Sequence, residues 1–165
     1  MSSNLNAIDL LKENQNKIEW RFLSKNPNAI ELLEANLNKI DWINLSKNPN
    51  AINLLKANPD KINWSELSKN PNAIWLLKEN PNKIDWHSLS KNENVGEIIN
   101  NENKDNFNWY YLSKNEKIYD FLMKNLNRIY WNTFSANLKA IDYLKANPIK
   151  LIGLIYRKIK MHQNS

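Results

Sequence analysis

Trp20, Trp42, Trp64, Trp86, Trp109 and Trp131 stand 22, 22, 22, 23 and 22 residues apart. A fixed period of this length marks a stacked-repeat protein, in which each unit is too small to bury its own apolar face and is completed by its neighbours. Aligned on Trp, the unit reads Asn-Pro-x-Lys-Ile-x-Trp-x-x-Leu-Ser-Lys, then Asn-Pro-Asn-Ala-Ile-x-Leu-Leu-Lys-x. Eight of these residues, Leu-Ser-Lys-Asn-Pro-Asn-Ala-Ile, recur unchanged at 23–30, 45–52 and 67–74. The sequence enters midway through a unit at Asn4-Leu5-Asn6-Ala7-Ile8, and it leaves in a seventh, degenerate unit where Gly153 stands in for Trp.

All six prolines follow Asn. Asn is among the best helix N-caps, because its side-chain oxygen accepts a bond from an orphan amide of the first turn. Proline suits the first helical position and drives the residue before it out of the α region. Each Asn-Pro should therefore end one helix and begin the next, giving two short helices per unit. In the second helix Ala73, Ile74, Leu76 and Leu77 form one apolar stripe of helical period. Ahead of it, Ile62, Trp64 and Leu67 mix strand-like and helical spacing. That fits either a helix buried on two sides or a short extended entry with helix starting near Trp64.

The expected fold is all-α, an α-solenoid of about seven 22-residue two-helix repeats. The runner-up is a leucine-rich-repeat-like solenoid, but its strand wants apolar residues two apart just before the Asn, whereas Trp42, Leu45 and Asn48 are three apart. Helices this short are marginal alone, so stability must come from stacking. At a helix spacing of ~8–10 Å the stack would run on the order of 60–70 Å.

Hydrophobic residues make up 42% and charged residues 24%, within the globular range. Two glycines argue against β-sandwiches, barrels and phosphate-cradling loops, and the absence of Cys removes disulfides and thiolate metal sites. The start lacks the basic and apolar regions of a signal peptide, and the apolar cluster 151–156 is too short to span a bilayer. A soluble intracellular protein with no membrane association is expected. Asn makes up roughly a fifth of the chain, with Lys and Ile also abundant, the residue usage of an AT-rich genome.

The Asn-Pro-Asn-Ala-Ile and Ile-x-Trp-x-x-Leu-Ser elements, seen together in LSKNPNAIELLEANLNKIDW, resemble the uncharacterised short-repeat proteins of mimivirus-like giant DNA viruses. The likeness covers almost the whole chain. It implies a viral source, with a place in the host cytoplasm or the virion, and it brings no catalytic or binding residues to transfer.

Constant positions are needed for stacking, so function is expected where the repeat varies. Two rows after Trp vary freely: Arg21, Ile43, Ser65, His87, Tyr110, Asn132, and Phe22, Asn44, Glu66, Ser88, Tyr111, Thr133. If helical, both rows project beside Trp and offer Arg, Phe and Tyr, types enriched in interface hot spots. Trp75 occupies a position otherwise filled by Asp9, Glu31, Asn53 and Asp142, so its indole should be partly exposed. Trp75, Arg21, Phe22, Ile43, His87, Tyr110 and Tyr111 are the candidate partner-binding residues.

A second reading rests on basic rows. Lys17, Lys39, Lys61, Lys83 and Arg128 recur in register, as do Lys25, Lys47, Lys69, Lys91 and Lys114. With a net charge of +6, the first row could meet phosphate. Against this, Glu19, Asp41 and Asp85 lie two positions from that row and dilute it, and Lys near a helix C-terminus already has a dipole rationale for the second.

Two histidines, no Cys and no nucleophile or metal motif make catalysis and cofactor binding unexpected. The repeats should be regular over 4–92, broken by an irregular joint at 93–108 where Gly96 replaces Ile, and divergent over 109–147. A C-terminal capping helix is expected over 148–162. The functional expectation is a non-catalytic scaffold for a viral or host protein partner. Its alternatives are a basic nucleic-acid-binding module and a structural virion protein that self-assembles as a homo-oligomer through the solenoid ends.

Overall fold

A computed structural model describes residues 14–149, and within them every regular element is an α-helix or a 3-10 turn. The chain is an all-α repeat solenoid, divided between Ile98 and Ile99 into two compact units. That division falls inside the segment 93–108. The entry at Asn4, the degenerate unit at Gly153 and most of the expected capping helix lie outside the described residues.

In the first unit four Trp helices alternate with three Ile helices. The Trp helices are Trp20–Leu23, Trp42–Ser46, Trp64–Lys69 and Trp86–Leu89. The Ile helices are Ile30–Glu34, Ile52–Lys56 and Ile74–Glu79. Each Trp helix begins at Trp because the two residues before it are extended, as Ile62 (φ −67°, ψ 125°) and Asn63 (φ −84°, ψ 97°) show. The mixed spacing of Ile62, Trp64 and Leu67 thus resolves as an extended entry. Its cap is the residue just before Trp: Asp41, Asn63 and Asp85 accept from the amides of Asn44, Glu66 and Ser88 at 2.9, 2.9 and 2.8 Å.

The two kinds of Asn-Pro do different work. Asn26 and Asn70 cap 3-10 turns, Pro27–Ala29 and Pro71–Ala73, and the α-helix starts only at the following Ile. The other Asn residues reach backward. Asn58 Nδ2 donates to the Leu54 carbonyl and Asn80 Nδ2 to that of Leu76, both at 2.9 Å, closing the last turn of the Ile helix. Sequence logic expects a helix to start at every Asn-Pro. At 58–59 a 3-10 turn, Pro59–Lys61, does start, but without a side-chain cap, because the Asn58 side-chain amide satisfies an orphan carbonyl of the helix before it.

Leu23, Leu45, Leu67 and Leu89 from the Trp helices, with Leu33, Leu55 and Leu77 from the Ile helices, are fully buried. Ala29, Ala51 and Ala73 sit between them, also without exposed surface. Helix Trp64–Lys69 packs directly on Trp42–Ser46 and on Trp86–Leu89, so each stripe is covered by the next repeat. The tryptophans themselves sit at the margin: Trp20, Trp42, Trp64 and Trp86 are half-buried.

Polar bonds tie the repeats together. Ser46 Oγ donates to the Trp42 carbonyl (2.8 Å) and accepts from the Asn63 amide (3.0 Å), 17 residues on. Ser24 and Ser68 do the same with the amides of Asp41 and Asp85. Asn70 Nδ2 donates to the Ser46 and Asn48 carbonyls at 3.2 and 3.0 Å, while its Oδ1 accepts from Asn72 N. Asn48 and Asn92 repeat this pattern, and Asn50, Asn72 and Asn94 donate to the carbonyls of Pro27, Pro49 and Pro71. Buried amides and hydroxyls with every bond made are cheap to keep and costly to remove.

After Asn92 the repeat fails locally. Gly96 stands where Ile74 opens a helix, and only a 3-10 turn, Val95–Glu97, forms. No glycine adopts a positive φ among the described residues, so the cause is the poor helix propensity of Gly and its missing side chain.

In the second unit the helices are Trp109–Leu112, Tyr119–Met123, Trp131–Phe134 and Ala140–Ala146. Trp109 is buried, stacks on Phe121 and donates its indole N–H to the Lys104 carbonyl at 3.1 Å. Ser113 keeps the relay, donating to Trp109 O and accepting from Tyr130 N. The repeat of Trp131 departs from it: Ser135 is exposed and bonds Asn132 O instead.

Candidate functional site

The first variable row lies outward. Arg21, Ile43, His87, Tyr110 and Asn132 are exposed and Ser65 is half-buried, with Ile43 exposed to 54%. This position follows Trp on a helix whose inward stripe is taken by the Leu three residues after Trp. The second row does not project as expected. Ser88 and Thr133 are buried, Asn44, Glu66 and Tyr111 are half-buried, and only Phe22 is exposed. The physical reason is rotation: two positions after Trp the helix has turned toward the preceding repeat. There Ser65 Oγ meets Ser88 Oγ at 3.0 Å and Thr133 Oγ1 donates to Tyr110 O at 3.2 Å.

Asp85 lies at this contact. The Ser88 amide holds its carboxyl below the usual range. Burial acts the other way, and the Ser65 and Ser88 hydroxyls and the nearby His87 assist the lowering. Its role is that of a helix cap.

Trp75 is 40% exposed on an Ile helix, apart from the row that follows Trp. Lys56 of the preceding repeat lies 4.5 Å from its ring centroid and pairs with Glu79 at 3.3 Å. One lysine thus holds both residues and fixes the indole on the surface.

Among the basic candidates, Lys17, Lys39, Lys61 and Lys83 are exposed in the 3-10 turns before the Trp helices. Two members of the row have local partners. Lys39 Nζ lies 5.1 Å from the Trp20 ring, and Arg128 lies 5.4 Å from that of Trp109 while pairing with Asp105. In each unit, therefore, one cation lies over the Trp that stands 19 residues before it. Residues 14–98 carry eleven Lys and Arg against ten Asp and Glu, so the regular repeats are nearly neutral.

In the second unit the structure brings Tyr110 and Tyr111 together with Tyr130, a residue that sequence reasoning passed over. Tyr110 meets Tyr111 edge-on at 5.2 Å and Tyr130 at 6.0 Å. Lys114 Nζ lies 4.4 Å from the Tyr110 centroid, 6.0 Å from that of Tyr111 and 3.3 Å from the Tyr110 hydroxyl. Tyr110 and Tyr130 are 41% and 56% exposed. The available signal was that Tyr130 occupies the cap position held elsewhere by Asp41, Asn63 and Asp85, an exchange a simple scan for Trp neighbours ignores.

Among the described residues no group of three acidic or imidazole side chains is placed to hold a metal, and no helix is long and apolar enough to cross a membrane. No protein-family model, curated protein or solved structure matches this chain.

Proposed function

We propose that this chain is a non-catalytic repeat scaffold that binds a protein partner through side chains at its variable positions. The observation that carries this reading is a division of labour. The constant Leu, Ala, Ser and Asn residues are buried and spend their polar atoms on neighbouring repeats, while exposed apolar area collects at variable positions such as Ile43, Phe22, Trp75 and Tyr110. Arg21 and His87 add polar specificity beside them. The resemblance to giant-virus repeat proteins supplies the origin, and the partner is then a viral or host protein.

Nucleic-acid binding through Lys17, Lys39, Lys61, Lys83 and Arg128 is the weaker alternative. The near-neutral charge of residues 14–98 gives little attraction for phosphate, and Arg128 is already paired. Self-assembly through the ends of the stack is the other.

The experiment is affinity capture from virus-infected host cells with wild type beside Ile43→Asp, Trp75→Ala and Tyr110→Ala. A partner recovered by the wild type and lost from at least one variant is expected. Identical partner sets from all four proteins would refute the assigned surface. Salt-sensitive binding to an oligonucleotide would favour the basic rows, and scattering that rises with concentration would favour self-assembly.

A further inference from the structure

In the first unit one carboxylate neutralises two lysines. Glu66 stands three residues before Lys69 and pairs with it at 3.0 Å, while also facing Lys47 at 3.9 Å. The matching residues in the second unit are Tyr111 and Lys114. Tyr111 replaces the carboxylate of Glu66, and Tyr130 replaces the carboxylate that Asp41 and Asp85 carry ahead of the following Trp. Carboxylates that the first unit carries at these positions are thus exchanged for aromatic rings. Lys114 is left exposed over Tyr110 and Tyr111, its ammonium 3.3 Å from a phenol oxygen and paired with no carboxylate of the described residues. Phe22 and Lys25 show half of this exchange, with the lysine 5.4 Å from the ring, but the repeat that follows retains Asp41.

We infer that Tyr110, Tyr111, Tyr130 and Lys114 form a docking site for an acidic protein segment, whose Asp or Glu supplies the carboxylate that Glu66 gives Lys69 in the first unit. This rests on the protein-scaffold reading and names the chemistry of its partner. An ammonium held between tyrosines keeps its charge at the surface and accepts one carboxylate in a charge-assisted bond. The phenol edges offer apolar area and hydroxyl donors to the flanking residues, at low entropic cost because a tyrosine has few rotatable bonds. The Tyr110–Tyr111 and Tyr110–Tyr130 edge contacts hold the rings in place before the partner arrives.

The test is panning of a random-peptide phage library on the full-length protein, with affinities of the selected peptides read by fluorescence anisotropy. Selected peptides should carry Asp or Glu, and their amide isosteres should bind more weakly. Lys114→Met should weaken binding about tenfold, the loss of one charge-assisted contact. Tyr111→Glu, which restores the carboxylate that Glu66 supplies in the first unit, should do the same, whereas Lys69→Met should bind like wild type. Melting curves that overlay the wild type keep a folding defect from posing as the result. Selection of peptides without acidic residues, no selection at all, or wild-type affinity of the Lys114→Met and Tyr111→Glu proteins would overturn the site. A partner captured through Ile43 or Trp75 would then leave the scaffold reading standing without it.

Discussion

Replacing Asn70 by Ala should be among the most damaging single changes in this chain, and the same change at Asn137 should be mild. Asn70 is buried and makes three bonds: two from Nδ2 to the Ser46 and Asn48 carbonyls, and one from the Asn72 amide to Oδ1. Its loss removes the cap of Pro71–Ala73 and leaves two buried carbonyls short of a donor. At about 1 kcal/mol per bond, the cost is about 3–4 kcal/mol. Asn137 is just as buried, but its Nδ2 is, among the described residues, the one buried side-chain nitrogen or oxygen without a partner. Only its Oδ1 is used, by the Lys139 amide, so about 1 kcal/mol is at stake. The difference follows from neighbours. Leu138 stands where the regular repeat has Pro, and its amide is drawn to Glu116; Lys139 stands where Asn50 and Asn72 reach the preceding repeat. At about 2–4 °C per kcal/mol for a chain of this size, melting followed by circular dichroism should fall by about 10 °C for Asn70→Ala and about 3 °C for Asn137→Ala. Equal shifts for the two variants would refute the claim that the Asn bonds, and not burial of the amide as such, join the repeats.

Two further outcomes follow from local structure. The Asp85 carboxyl is held below its ordinary value of 3.8, so its contribution is complete above that value and is lost as pH falls through the lower folded value. Asp85→Asn keeps a capping oxygen, as Asn63 already does at the equivalent place, and it should match the wild type near neutrality while losing less stability on acidification. Acid titrations of the two proteins that superimpose would contradict this. At Gly96 the backbone has no positive φ, so Gly96→Ala should stabilise by about 0.5–1 kcal/mol and extend Val95–Glu97 toward an α-helix. Urea midpoints and the far-ultraviolet helix signal check it, and a destabilised variant would show that the open turn is required.

The repeat length, the helical class and the break at Gly96 follow from the amino-acid sequence because their causes are local. Asn-Pro restricts neighbouring backbone, Ala73, Ile74, Leu76 and Leu77 share a helical stripe, and Gly96 weakens a helix wherever it stands. Even the verbatim Leu-Ser-Lys-Asn-Pro-Asn-Ala-Ile could be recognised as a joint. What its serine and first asparagine bond to could not, since their partners lie 17, 22 and 24 residues away. Those pairings depend on the offset and rotation with which one repeat seats on the next, quantities that no window of the sequence encodes. The same rotation buries Ser88 and Thr133 in a row expected to face outward. It also brings Tyr130 against Tyr110, 20 residues apart in the chain, and leaves Lys114 beside them without the carboxylate that Glu66 gives Lys69. Stacking geometry, and not composition, decides which of the variable side chains share a surface.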